Sequence, residues 1–274
     1  MQFKSNKIAI IGAGPMGLAI SYRLSSLGYK PVLFEADDRL GGMTASINFS
    51  GLEIERYYHF HCLSDTHFIN LLKELNLKHK LKWKKTLMGF FYKNKMYKWG
   101  SISSILSFPK LSFFSKIRYI FHTINCLIKS DWRKLDRLSA TKWLKKWLGK
   151  KGFNILWSKL FIFKFHKYSD NISAAWIWSR VKRLGLSRKF FRENLGFLEG
   201  GSKELINSLE LAILKNGGQI KISTPVLSIL PNNLSGAKII TNKGEYDFDI
   251  VISTIPLPLI PKLLKLKKKS KIFN

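Results

Sequence analysis

Acidic residues are scarce in this chain: 17 Asp and Glu stand against 47 Lys and Arg, a formal charge of +30 over 274 residues. That imbalance creates a strong positive field and points to anionic partners, with membrane surface, nucleotide and nucleic acid as the candidates. No recognised nucleic-acid module accompanies the charge, which makes nucleic acid the weakest of the three. Much of the excess is Lys among many Ile, Asn and Phe residues, a pattern that compositional bias also produces. Cysteine is nearly absent. Cys62 and Cys126 lie far apart without CxxC spacing, which suggests neither a disulfide framework nor a zinc site and favours a reducing compartment. Nowhere do about 18 uncharged apolar residues run together, so a spanning helix is not expected. The apolar run Ile8 to Ile11 behind Lys4 and Lys7 is too short for a signal peptide. The expected location is the cytoplasm, with peripheral contact to the inner membrane as an alternative.

What is present is an ordinary globular core, 46% hydrophobic residues in a chain long enough for one large or two modest domains. Residues 7 to 35 alternate in the βαβ manner. Lys7 to Ile11 reads as a buried strand, Met16 to Leu27 as a helix with Gly28 at its C-cap, and Pro31 to Glu35 as a second strand. From about Leu77 the chain is dense in Lys, Trp, Phe and Tyr and reads as mainly helical. Within it, Ser139 precedes a face formed by residues 143, 144, 147 and 148, as expected of a capped amphipathic helix. The aromatics Trp83, Trp99, Phe113, Phe114 and Phe121 read first as helical core, and alternatively as a face resting on an anionic membrane. Beyond Gly196, Ser202 to Leu214 has helical periodicity, and short strands follow at Gln219 to Ile222 and Pro225 to Leu230. A turn at Asn232-Asn233 leads to a hairpin, Ala237 to Thr241 with Glu245 to Phe248, and then to a buried strand within Asp249 to Pro256. Lys262 to Lys271 reads as a basic tail.

The chemistry is concentrated near the start. Gly12-Ala13-Gly14-Pro15-Met16-Gly17 follows a strand and opens a helix, and Glu35 closes the next strand, the spacing of a dinucleotide fingerprint. Gly12 permits the tight turn, Gly14 lets backbone approach a pyrophosphate, and Gly17 allows close packing of helix on strand. Glu35 is placed to accept hydrogen bonds from a ribose diol, and its charge repels a 2′-phosphate. That favours FAD or NAD over NADP.

The next residues, Asp38-Arg39-Leu40-Gly41-Gly42-Met43, resemble the Arg-x-Gly-Gly signature of flavoproteins of the amine-oxidase, phytoene-desaturase and protoporphyrinogen-oxidase group. The resemblance implies FAD, with Ala36 and Arg39 near the adenosine or phosphate portion and Gly41 and Gly42 bringing backbone to the cofactor. Met43 stands where amine oxidases often carry Arg. Further stretches are similar to the same group: Glu55 to His61, Ser173 to Trp176, Phe197 to Gly201, Thr224-Pro225-Val226, and Asp249 to Pro256. By this resemblance Val226 contacts the adenine through its backbone, and Gly200, Gly201 and Thr254 lie beside the flavin or substrate. His59 reads first as structural, with a flavin- or substrate-adjacent role as the alternative. No metal set and no catalytic residue is identified.

The implied architecture is α/β: an FAD-binding Rossmann-like domain from residues 1–75 and 195–274, with a largely helical substrate domain, 76–194, inserted between. The implied function is flavin-dependent oxidation or desaturation of an apolar or porphyrinogen-like small molecule. A flavin-dependent UDP-sugar mutase is one alternative, and a non-catalytic, membrane-associated remnant is another. The resembled proteins continue well past the strand near Pro256. The expectation is therefore of an incomplete flavin site, inactive alone or completed by a separate chain.

Overall fold

A computed structural model describes residues 7–189, 192–232 and 236–264. The basic tail from residue 265 onward, and Asn233 of the expected turn, lie outside the described residues. The chain divides into two compact units, one of residues 1–59, 70–81 and 198–274, the other of residues 60–69 and 82–197.

The first unit is built on a parallel sheet in the order Gln219–Lys221, Val32–Phe34, Ile8–Ile11, Ile250–Ser253. Ile8–Ile11 is buried along its whole length because both of its edges are paired, Ile10 opposite Leu33 on one side and Ile252 on the other. A parallel strand so enclosed must be apolar throughout, which is why it reads as an uninterrupted Ile-Ala-Ile-Ile run. The helix Pro15–Ser26 follows this strand, and the helix Ser202–Lys215 buries Leu205, Ile206, Leu209 and Ile213 on one face. A three-stranded antiparallel sheet, Val226–Pro231, Ala237–Thr241 and Gly244–Phe248, packs its apolar face around Phe34. Phe34 meets Tyr246 and Phe248 at ring separations of 5.4 and 5.8 Å. One expectation is corrected here. Ile250–Ser253 is half-exposed rather than buried, with Ile250 41% exposed, because among the described residues it is an edge strand paired on one side.

The second unit is helical over residues 102–186, with Phe113–Ile128, Ala140–Leu156, Ser158–Phe165 and Ala174–Leu186 as its longer helices. Ser112, Ser139 and Ser173 each accept a backbone N–H from the first turn that follows, so three of the four begin on a side-chain cap. Their common core gathers Cys126, Leu135, Trp143, Leu144, Phe153, Phe161 and Ile177. Two expectations change. The aromatic, Lys-rich onset is not helical: Met88–Tyr92 and Lys95–Trp99 form a hairpin whose loop residues, Lys93 and Asn94, both take positive φ. Phe90, Tyr97 and Trp99 then reach the buried Phe108 at 5.0 to 5.6 Å, a period-two pattern that favours strand. Phe113, Phe114 and Phe121 are exposed rather than core, since the helix that carries them turns His122 and Cys126 inward.

Candidate functional site

The first unit brings the two glycine motifs together. Gly12 turns at φ 97°, donates its N–H to the Phe34 carbonyl at 2.8 Å, and hands the chain to a helix that begins at Pro15. Gly17 lies against this turn so closely that a Cβ there would stand 1.9 Å from the Gly12 carbonyl oxygen. From the neighbouring strand, the Thr254 hydroxyl lies within hydrogen-bond distance of the Ile11 and Gly12 carbonyls, at 3.0 and 2.9 Å, and donates to one of them at a time. These contacts fix the turn from two sides.

The Arg39-to-Met43 loop returns to the same place. Gly41, at φ 107°, donates its N–H to the Ala13 carbonyl at 2.9 Å, and Gly42 sits over Gly14, where a Cβ would meet the Gly14 Cα at 3.3 Å. Gly14 itself is open in front: a Cβ built on it meets nothing within 4 Å. No side chain caps the helix that starts there, and Pro15 has no N–H to offer. An uncapped helix N-terminus facing open space is a ready anion site. Glu35 stands beside it, accepting the Ala13 N–H on one carboxylate oxygen at 2.6 Å and the Asp37 N–H on the other at 3.0 Å. Each oxygen has a further lone pair for a ribose hydroxyl. Met16 and Met43, next in the chain to Pro15 and Gly42, are both well exposed.

Arg39 is engaged by its own loop. Its Nε donates to Asp38 at 2.8 Å and lies 3.8 Å from Asp37, while Arg56 reaches Asp37 at 2.9 Å. The Arg39 hydrogen bond, first of the causes, holds the Asp38 carboxyl below its ordinary value. Reaching a phosphate would require Arg39 to exchange these partners. The exposed Ala36 follows Glu35 directly, and half-buried Val226 lies at the start of a strand, packed against the cluster around Phe34. A cavity of about 450 Å³ adjoins the loop, lined by Arg39 and Lys203 against Asp38, Glu53 and Glu210, and neither Gly14 nor Glu35 lines it.

His59 and Gly201 are linked through Glu55, a residue to which the sequence assigned no role, while a Cβ on Gly200 would strike the Glu204 side chain. Glu55 accepts the Ser202 N–H at 2.5 Å and lies 3.1 Å from His59 Nδ1, so it caps the helix that follows the Gly200-Gly201 turn. Burial pushes the Glu55 carboxyl up, but the bonds from Ser202 and His59 outweigh it and the net shift is downward. His59 therefore belongs to a helix cap. The Glu55 contact spans 147 residues, which no local pattern signals. In the second unit, His61 stacks on Phe68 with ring centroids 3.8 Å apart. Among the described residues no His, Cys, Asp and Glu cluster could hold a metal, and no helix is long and apolar enough to cross a membrane.

The model of the flavin containing amine oxidoreductase family matches residues 17–272. The chain belongs to that family. As a member of this flavin oxidoreductase family it is 25% identical to the 15-cis-phytoene desaturase of Synechococcus elongatus over 94% of its own length and 59% of the desaturase. Among solved structures, a putative protoporphyrinogen oxidase from Exiguobacterium is similar at a TM-score of 0.70 and 21% identity, covering 96% of this chain and 62% of that one. A putrescine oxidase, solved with putrescine, is similar at 0.69 and 21%, covering 94% and 60%. These two likenesses bear on the fold, an α/β flavoprotein fold. This family member thus spans about three-fifths of each of these proteins. The family's cofactor is FAD, and the open Gly14, the uncapped helix and the free lone pairs of Glu35 fit its pyrophosphate and ribose.

Proposed function

We propose that this chain acts in FAD-dependent oxidation or desaturation of an apolar small molecule, isoprenoid or porphyrinogen-like. The observation that carries the reading is the meeting of Gly12–Gly17 with Gly41–Gly42 around an open helix N-terminus, with Glu35 at its side. In this reading the first-turn N–H groups and the Gly14 backbone hold the pyrophosphate, and Glu35 accepts from the ribose diol. Arg39 and Ala36 border the adenosine portion, and the Val226 backbone contacts the adenine. Met16 and Met43 shield the opening from water. FAD, when bound, supplies the two-electron acceptor, so the chain needs no nucleophile or metal of its own; its work is to orient substrate and keep water out. Residues 1–75 and 195–274 are assigned to the cofactor and 76–194 to the substrate. The desaturase likeness along 94% of the chain supports an apolar substrate and net oxidation over the mutase alternative.

The test is anaerobic. The flavin-loaded chain is mixed with a polyene or a porphyrinogen, and loss of the oxidised flavin's visible band reports electron transfer. Bleaching by one of these and not by a UDP-sugar supports the reading. A flavin that stays oxidised with both, yet catalyses sugar rearrangement once chemically reduced, replaces it with the mutase.

A further inference from the structure

The second unit holds an open cavity of about 1110 Å³, slightly larger than the roughly 300–1,000 Å³ usual for small-molecule sites. Its lining is unusual in charge. Arg118, Lys129, Lys134, Arg137, Lys142 and Lys146 all border it, and no Asp or Glu does. The nearby acids are committed elsewhere: Asp131 pairs with Arg133 at 3.3 Å, and Asp136 accepts the Ser173 hydroxyl at 2.7 Å. Among the described residues none of the six cations makes an ion pair. Six like charges around one concavity repel one another unless an anion joins them, and a concave wall focuses the field on whatever enters. The excess of 47 basic over 17 acidic residues in the chain already leaves most cations unpaired, so the charge marks this groove only together with its concavity and its aromatic lining.

Two further features narrow the ligand. Ser139 and Lys142 bring to the rim the N-terminus of the helix Ala140–Leu156, whose first straight segment runs nine residues before Gly149 breaks it at φ 75°. That end adds partial positive charge to the cations, while its Ala140 and Lys142 N–H groups are already taken by the Ile172 carbonyl and the Ser139 hydroxyl. The apolar part of the lining includes Trp143, Trp147 and the exposed ring of Phe121. Cations that gather phosphates beside aromatic faces that stack a planar ring are the two requirements of a nucleotide.

We propose that this groove is a second ligand site, for a nucleoside diphosphate or triphosphate, with the phosphates at Arg137, Lys142 and Lys146 and the base against Phe121 and Trp147. The proposal stands apart from the flavin reading, since every residue in it belongs to the second unit.

With FAD at saturation to close the Gly14 cradle, the full chain is titrated with ATP, with inorganic pyrophosphate and with adenosine, following its tryptophan fluorescence. ATP is expected to bind more tightly than pyrophosphate, adenosine weakly, and both phosphates less tightly as salt rises. Replacing Arg137→Gln together with Lys142→Gln should weaken ATP by about tenfold or more, whereas Lys84→Gln with Lys85→Gln, an equal charge loss outside the groove, should change it by less than about twofold. Phe121→Ser should weaken ATP and leave pyrophosphate unchanged. Circular dichroism confirms that each variant is folded. Equal losses in the two double variants would reduce the effect to diffuse charge and overturn the proposal. So would failure of both phosphates to bind where phosphatidylserine vesicles capture the wild type and not the Arg137, Lys142 variant, which would make the groove a lipid-headgroup contact.

Discussion

Two glycines three residues apart should respond in opposite ways to a side chain. Gly14 has φ −68° and ψ 176°, a conformation open to any L-residue, and a Cβ there meets nothing within 4 Å. Losing a glycine N-cap costs about 0.5–1 kcal/mol, and the reduced freedom of the unfolded chain returns about as much, so Gly14→Val should alter stability by less than about 0.5 kcal/mol. Its branched side chain nevertheless fills the space before the helix N-terminus, where the pyrophosphate is proposed to lie. FAD affinity should fall by at least about 100-fold, on the order of 2.7 kcal/mol. Gly17→Ala places its Cβ 1.9 Å from the Gly12 carbonyl oxygen, and a backbone oxygen cannot swing aside as a side chain can. Relieving that overlap should cost about 3 kcal/mol or more, lowering Tm by about 6–12 °C. Thermal unfolding followed by circular dichroism reads the stability, and quenching of flavin fluorescence reads the binding. A Gly14→Val protein that binds FAD like the wild type would refute the placement of the cofactor. One that unfolds as readily as Gly17→Ala would refute the geometry itself.

Other consequences follow from the same contacts. Glu35→Gln removes the charge that accepts the Ala13 and Asp37 N–H groups and should weaken FAD by about tenfold, read by the same quenching assay. Thr254→Val leaves the Gly12 carbonyl without its hydroxyl donor and should cost about 1–2 kcal/mol in thermal unfolding, most of it recovered by Thr254→Ser. In the second unit, burial lowers His122 from 6.5 to about 4, and its Nδ1 has no hydrogen-bond partner among the described residues. A depressed histidine contributes stability that is complete above pH 6.5 and is lost as pH falls toward 4, amounting to about 2 kcal/mol by pH 5. His122→Phe should therefore unfold at nearly the wild-type temperature at neutral pH and lose less on acidification to pH 5. A parallel decline in both proteins would contradict the assignment.

The cofactor half was legible in the sequence because its constraints are local. Paired apolar strands need unbroken Ile and Val, and the turn of Gly12 and the close approach of Gly17 each need a residue without Cβ. Even there, the contact of Gly41 with Ala13 could be inferred only through resemblance, since spacing says nothing about which loop returns to the turn. What escaped were features set by partners far along the chain. Glu55 caps a helix that starts at Ser202, and no periodicity announces such a pairing. The Met88–Trp99 hairpin was hidden by its lysines: Phe90, Tyr92, Tyr97 and Trp99 alternate, but cationic neighbours and short strands make the period hard to tell from that of a helix. The exposed Phe113, Phe114 and Phe121 show the converse, since a helix can carry apolar residues on more than one face and only packing decides which face is covered.

The most direct test of the account is the visible absorption spectrum of the purified chain after incubation with FAD and desalting. The account predicts a retained flavin band in the wild type, its loss in Gly14→Val, and equal folding of the two by circular dichroism. A folded wild-type chain that emerges colourless would contradict the claim that the Gly12–Gly17 and Gly41–Gly42 cradle in this chain holds the cofactor.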